Sequence, residues 1–205
     1  MPLSLLDELL KSPPTAQMRD RLSAYAVWLM SEATTAGGLG PQEAERLWQR
    51  HIFDSAAFTL GWPVPPESCV DLGSGAGLPG IVLGILWPAT ELRLVDRSGR
   101  RTRLVRRAIR VLDLPNVTVW ESDIRQVSRG QEAAVMRAVL PPPAAIRAFG
   151  RLLAPEGRGV LGLSRSNLPD EKLLLYEADR NELKATVETV KVLDPPGWML
   201  IMSRS

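Results

Sequence analysis

Asp71-Leu72-Gly73-Ser74-Gly75-Ala76-Gly77-Leu78-Pro79-Gly80 is the stretch whose reading decides the fold. It closes the apolar run Cys69-Val70-Asp71-Leu72, which reads as a short strand. It leads into residues 81–86, a helical pattern that stops before Pro88. Glycines allow a sharp turn and bring backbone close to a ligand with no Cβ in the way. The helix that follows offers unpaired N–H groups to an anionic group. Strand, glycine turn and helix in that order open a doubly wound sheet, whose ligand sits at the carboxyl ends of the strands near the reversal of strand order.

The pattern continues downstream. Residues 91–95, 117–119, 133–135 and 159–163 read as further strands, and residues 101–112, 142–153 and 169–179 as helices between and after them. Residues 186–192 and 198–202 read as a final antiparallel pair joined by Asp194-Pro195-Pro196-Gly197. Alternation at this spacing predicts a mostly parallel α/β sheet with helices on both faces and an antiparallel C-terminal strand. Upstream, Leu5, Leu6, Leu9 and Leu10 fall on one helical face before the break Ser12-Pro13-Pro14. Met18, Leu22, Tyr25, Val27, Trp28, Leu29 and Met30 then recur at helical spacing, and a further helix is expected over residues 41–59. The expected organisation is a helical cap over residues 1–60 and a core over residues 61–205, within one domain.

At 205 residues, 45% hydrophobic and 23% charged, the chain has the composition of a folded globular protein, not a disordered one. Cys69 is the only cysteine, which excludes an intrachain disulfide and a zinc cluster and suits a reducing compartment. No stretch approaches the ~20 apolar residues of a membrane span, and Asp7 and Glu8 break up any leader-like N-terminus. A cytoplasmic, metal-free and monomeric protein is expected.

Gly75-Ala76-Gly77-Leu78-Pro79-Gly80 also fits the dinucleotide pattern G-x-G-x-x-G, which alone is weak evidence. Three features favour S-adenosylmethionine instead. Asp71 at the strand end suits an ammonium group and would repel a pyrophosphate. The glycines begin early, at Gly73, in the register Asp-x-Gly-x-Gly-x-Gly. Pro79 removes a helix-start N–H that a pyrophosphate would use. The cofactor-binding candidates in the loop are therefore Asp71, Gly73, Ser74, Gly75, Gly77 and Leu78. Asp96, 19 residues after Gly77, closes the second strand where a carboxylate accepts both ribose hydroxyls. Asp123 is placed either to meet the adenine amine or to cap a helix, and the Ile124 N–H would meet the same ring.

Arg50-His51-Ile52-Phe53-Asp54-Ser55, followed by residues 70–80, resembles the bacterial small-subunit ribosomal RNA guanine-N7 methyltransferases, the RsmG or GidB family. Asp96-Arg97-Ser98-Gly99-Arg100-Arg101 resembles the family's D-S-x-x-K-R, and Arg137-Ala138 its S-R-A with Met136 in place of serine. Gly162-Leu163-Ser164-Arg165 stands where the family has A-L-K-G, so its lysine is missing or displaced to Arg165, and Arg125 stands where it has an acid. The likeness is carried by residues 45–165. It implies a Rossmann-like class I methyltransferase fold and methylation of guanosine N7 in the decoding region of 16S ribosomal RNA.

Guanine N7 carries a lone pair and no proton, so transfer to it requires positioning but no general base. Arg137, expected at the end of the fourth strand beside the transferred methyl group, is the leading catalytic and cofactor-side candidate; a salt-bridged structural arginine is the other reading. His51 reads as a core or surface histidine on its own, and the resemblance places it in the site, as the second catalytic candidate, with Arg50 and Asp54. Residues 97–110 hold seven arginines and no acid. Such a run is commonly a solvated face, but its mutual repulsion favours a phosphate partner. Arg100, Arg103, Arg107 and Arg110 share one helical face; Arg100, Arg101, Arg103, Arg107 and Arg165, with Arg50 and Asp54, are the substrate- and RNA-binding candidates. A relative that binds RNA without transfer, or methylates another substrate, is the alternative.

Overall fold

The computed structural model describes residues 4–33 and 46–204. Its centre is a seven-stranded sheet in the order β3-β2-β1-β4-β5-β7-β6. The strands are β1 (Ser68–Leu72), β2 (Glu91–Asp96), β3 (Val117–Glu121), β4 (Gln131–Arg137), β5 (Leu153–Gly162), β6 (Leu183–Val190) and β7 (Gly197–Arg204). β1 to β5 pair in parallel, and β7 runs antiparallel to both β5 and β6. The expected strands are all present. β4 extends beyond the expected 133–135, because its flanks Gln131 and Arg137 are polar yet paired with Leu153 and Gly162.

Helices α4 (Gly80–Leu86) and α5 (Gly99–Leu112) connect β1 to β2 and β2 to β3, while α6 (Pro142–Leu152) and α7 (Glu171–Asp179) follow β4 and β5. The central strands are apolar on both faces and are covered on both, as parallel sheets require. One core joins Leu92 and Leu94 to Ile81, Val105 and Ala108; the other joins Val70, Leu72 and Val95 to Ile146 and Phe149.

In the upstream region, α1 (Ser4–Leu9) and α2 (Ala16–Trp28) match the apolar spacing, with the Thr15 hydroxyl accepting the Met18 N–H at the start of α2. The helix expected over 41–59 lies partly outside the described residues. From Trp48 it is not one α-helix but a π turn (Trp48–Ile52), a single α turn α3 (Phe53–Ala56) and a 3-10 turn (Ala57–Gly61). Ile52, Phe53, Ser55, Ala56, Ala57 and Phe58 are all buried, a spread that one amphipathic face of constant pitch does not accommodate.

Candidate cofactor and substrate site

Strand order reverses between β2-β1 and β4-β5, so Leu72 and Arg137 end side by side at the switch point. The glycine loop leaves β1 there. Its Gly73 and Ser74 N–H groups both donate to the Val95 carbonyl, at 2.7 and 3.0 Å, and those of Gly77 and Leu78 donate to the Ser74 carbonyl. Gly73 has φ of +78°, and a Cβ on it would meet Val139 at 2.5 Å. A larger residue would therefore be strained and would also push the chain that follows β4.

A cavity of about 740 Å³ opens on this loop. Residues 73–76 and 78 form one wall, 96–98 with Arg101 a second, 122–125 a third, and 137–140 the fourth. Gly73, Ser74, Gly75, Leu78, Asp96, Asp123, Ile124 and Arg137 thus share one space; Asp71 and Gly77 are not on its wall. Asp71 is fully buried, with its Oδ2 accepting the Gly80 N–H at 2.8 Å. Asp71 thus braces the start of α4 through Oδ2, while its Oδ1 is buried with no hydrogen-bond partner among the described residues. Burial lifts its carboxyl to about 7, against the pull of the Gly80 N–H and the Arg137 charge.

Asp96 is 5% exposed; Oδ2 accepts the Gly75 N–H at 3.0 Å and Oδ1 the Ser98 N–H at 2.8 Å. Each oxygen keeps a second acceptor site, and both lie on the cavity wall that joins the loop to α5. Asp123 caps the 3-10 turn Ile124–Gln126, and Arg125 engages both its oxygens at 2.9 Å. Those bonds hold its carboxyl down to about 2. Of the two readings of Asp123, the cap is observed, and Arg125, in the place of the family's acid, is its partner. Arg151 fixes the same turn by donating to the Ile124 and Val127 carbonyls.

Arg137 reaches from the end of β4 to donate to the Arg50 carbonyl at 3.3 Å. Burial lowers its pKa from the ordinary arginine value, and the charges of Asp54 and Asp71 oppose that shift. His51 is half-buried on the π turn that carries Arg50. Asp54 is gripped by Arg165 at 2.7 Å, and Arg165 also donates to the Gln49 and Pro195 carbonyls. With its side chain 5% exposed, Arg165 is turned inward and is not presented to a phosphate. Burial raises the Asp54 carboxyl even so.

On α5, Ser98 caps the N-terminus, so the helix begins two residues before the expected start. Arg100, Arg103 and Arg110 are exposed and have no ion pair among the described residues, whereas Arg107 pairs with Glu32 at 2.8 Å. Arg101 turns to the cavity, 3.8 Å from Asp96. Two further features carry no motif in the sequence: Val139 and Leu140, which complete the fourth wall, and Tyr25, whose buried hydroxyl donates to the Ala76 carbonyl at 3.0 Å. A tyrosine inside an otherwise apolar helical stripe was the available signal, since its hydroxyl needs a partner when buried.

The family model described as rRNA small subunit methyltransferase G (GidB) matches residues 18–193. The chain belongs to that family. The family's Ribosomal RNA small subunit methyltransferase G of Paramagnetospirillum magneticum is 33% identical over 201 residues, 97% of this chain and 94% of the relative. The protein of the same name from Mycobacterium marinum is 31% identical over 189 residues, 88% of this chain and 82% of the relative. For the relative from Acidothermus cellulolyticus, 39% identical over 133 residues, the match spans about 60% of its length. Among solved structures, magnesium protoporphyrin IX methyltransferase of Synechocystis PCC 6803 with bound SAM superposes with a TM-score of 0.63 at 14% identity, covering 91% of this chain and 98% of that one. A SAM-dependent O-methyltransferase from Thermotoga maritima gives 0.55, also at 14%, covering 79% and 69%. These likenesses establish the class I methyltransferase fold.

Proposed function

We propose that the chain transfers a methyl group from S-adenosylmethionine to N7 of a guanosine in 16S ribosomal RNA of the small subunit or its precursor. The observation that carries the reading is the cavity that joins the glycine loop, Asp96, the Ile124 turn and Arg137 in one space. Membership of the family supports the ribosomal RNA substrate. The residues present suit the cofactor. Asp96 has acceptor sites left for two ribose hydroxyls, and Ser74 brings to the cavity wall a buried Oγ with no hydrogen-bond partner among the described residues. S-adenosylmethionine, when bound, supplies a methyl group on a cationic sulfur.

The chain's own tasks are to hold, orient and exclude. Asp96 fixes the ribose, and the Ile124 backbone meets the adenine. Arg137, anchored on the Arg50 carbonyl and beside Asp54, keeps its charge at the cavity wall to stack on the guanine or hold its phosphate. His51 and Arg50 lie on one turn beside it, and Arg165 holds Asp54 in place. N7 has no proton to lose, so no base is needed. Arg100 and Arg103 face the RNA backbone, Arg101 meets it at the mouth of the cavity, and Arg107 joins them because an exposed ion pair such as Arg107–Glu32 is readily exchanged. We read the protein as a cytoplasmic monomer; no helix among the described residues is long and apolar enough to cross a membrane.

Incubation with methyl-labelled cofactor and immature small subunits, followed by digestion of the RNA, tests the reading. Label is expected in 7-methylguanosine. Label in another nucleoside, or RNA binding with no transfer, would overturn it and favour a relative with another substrate or a purely binding role.

A further inference from the structure

Tyr25 lies in α2, 46 residues before the glycine loop begins at Asp71, yet its side chain ends inside that loop. It is fully buried, and its hydroxyl donates to the Ala76 carbonyl at 3.0 Å. Ala76 sits between two glycines of positive φ, Gly75 at +59° and Gly77 at +99°, and is itself on the cavity wall. The same hydroxyl lies 3.0 Å from where a Cβ on Gly77 would stand. The loop therefore closes against the hydroxyl as well as bonding to it. Trp28, one helical turn on, stacks on Tyr25 with ring centroids 6.0 Å apart.

A run of glycines has many accessible backbone conformations, and its bound shape is one of them. Affinity falls in proportion to the fraction of molecules in the competent shape. Hydrogen bonds to the Val95 and Ser74 carbonyls fix the ends of the loop, at residues 73–74 and 77–78. Between them, the Ala76 carbonyl is bonded to a side chain from outside the sheet. We infer that Tyr25 is a positioning residue for cofactor binding, through which the N-terminal helix pre-forms the cofactor loop. The inference rests on the reading that the cavity takes S-adenosylmethionine.

Calorimetric titration of the full chain with S-adenosylmethionine tests it, using Tyr25→Phe and, in α1, Leu6→Ala beside the unaltered protein. Tyr25→Phe keeps the ring and removes the bond, leaving a buried carbonyl unpaired. It is expected to raise the Kd for the cofactor by about tenfold, and KM for the cofactor in parallel, with kcat at saturating cofactor within about twofold of the original. Leu6→Ala removes buried packing in the N-terminal region and no bond to the loop. It is expected to lower the melting temperature at least as far, with Kd within about twofold. A merely structural tyrosine would give the reverse: a lowered melting temperature in Tyr25→Phe with Kd unchanged, which overturns the inference. If the unaltered protein binds no S-adenosylmethionine, the cofactor reading fails and the inference with it. Should Tyr25→Phe not fold, amide exchange in the unaltered protein decides. Cofactor is expected to slow exchange in α2 (Ala16–Trp28) as well as in the loop, and protection confined to the loop would overturn the inference.

Discussion

Burial lifts the Asp71 carboxyl from 3.8 to about 7, and this single group gives the folded protein a signature in pH. Between those values the unfolded chain has released its proton while the folded chain retains it. Folding is therefore progressively opposed as pH rises from about 4 to about 7, and the penalty is complete above that window. Asparagine is isosteric, keeps an oxygen for the Gly80 N–H and cannot ionise. The melting temperature of Asp71→Asn relative to the original protein is expected to climb between pH 5 and pH 8; a difference that does not vary with pH would show that Asp71 is ionised throughout. An acid before the glycines was plain from sequence, but its orientation was not. One Asp71 oxygen braces α4 and the other is left without a hydrogen-bond partner among the described residues, because how a strand-end side chain divides between turn and cavity depends on what packs above it. Asp96, whose position follows from closing β2, needs no such knowledge and lies where the spacing placed it.

Among the elements, the glycine loop and α5 were the most legible, each being local: φ demands mark one and an uninterrupted arginine run the other. What the run could not reveal is which arginines already have partners, since Glu32 comes from the N-terminal helices to meet Arg107 and Glu121 from the next strand to meet Arg106. Arg100 and Arg103 are the better test of the RNA-facing role. If they meet phosphates, replacing both with glutamine removes roughly 0.7–0.9 per contact from the slope of log affinity for rRNA against log salt. Filter binding across a salt series measures it, and an unchanged slope would return α5 to a solvated face. The expected helix over 41–59 failed where pitch changes, because a π turn has no composition of its own and is imposed by burial on several sides.

At the scale of the whole molecule, sheet order and layering followed from alternation of apolar runs, while contacts that tie distant segments together did not. Asp54, Arg165 and the Pro195 turn are an example: they join α3, the loop after β5 and the turn before β7 through one inward-facing guanidinium. Removing Arg165 takes the hydrogen-bonded partner from Asp54 and leaves it only the neighbouring charges of Arg137 and Arg50, so Arg165→Ala is expected to destabilise by about 3–5 kcal/mol. Adding Asp54→Ala should then cost clearly less than the sum of the two single changes, as chemical denaturation of the four proteins would show; strict additivity would mean the pair is not coupled. The same buried network backs Arg137, and with it the wall of the cavity where guanosine is proposed to sit. A crystal structure of the chain with S-adenosylmethionine tests that central assignment most directly. The ribose hydroxyls are expected on Asp96, the adenine against Ile124 and the methyl group on the Arg137 side of the cavity; cofactor bound anywhere else, such as the apolar groove beside Trp62 and Trp87, would contradict that assignment.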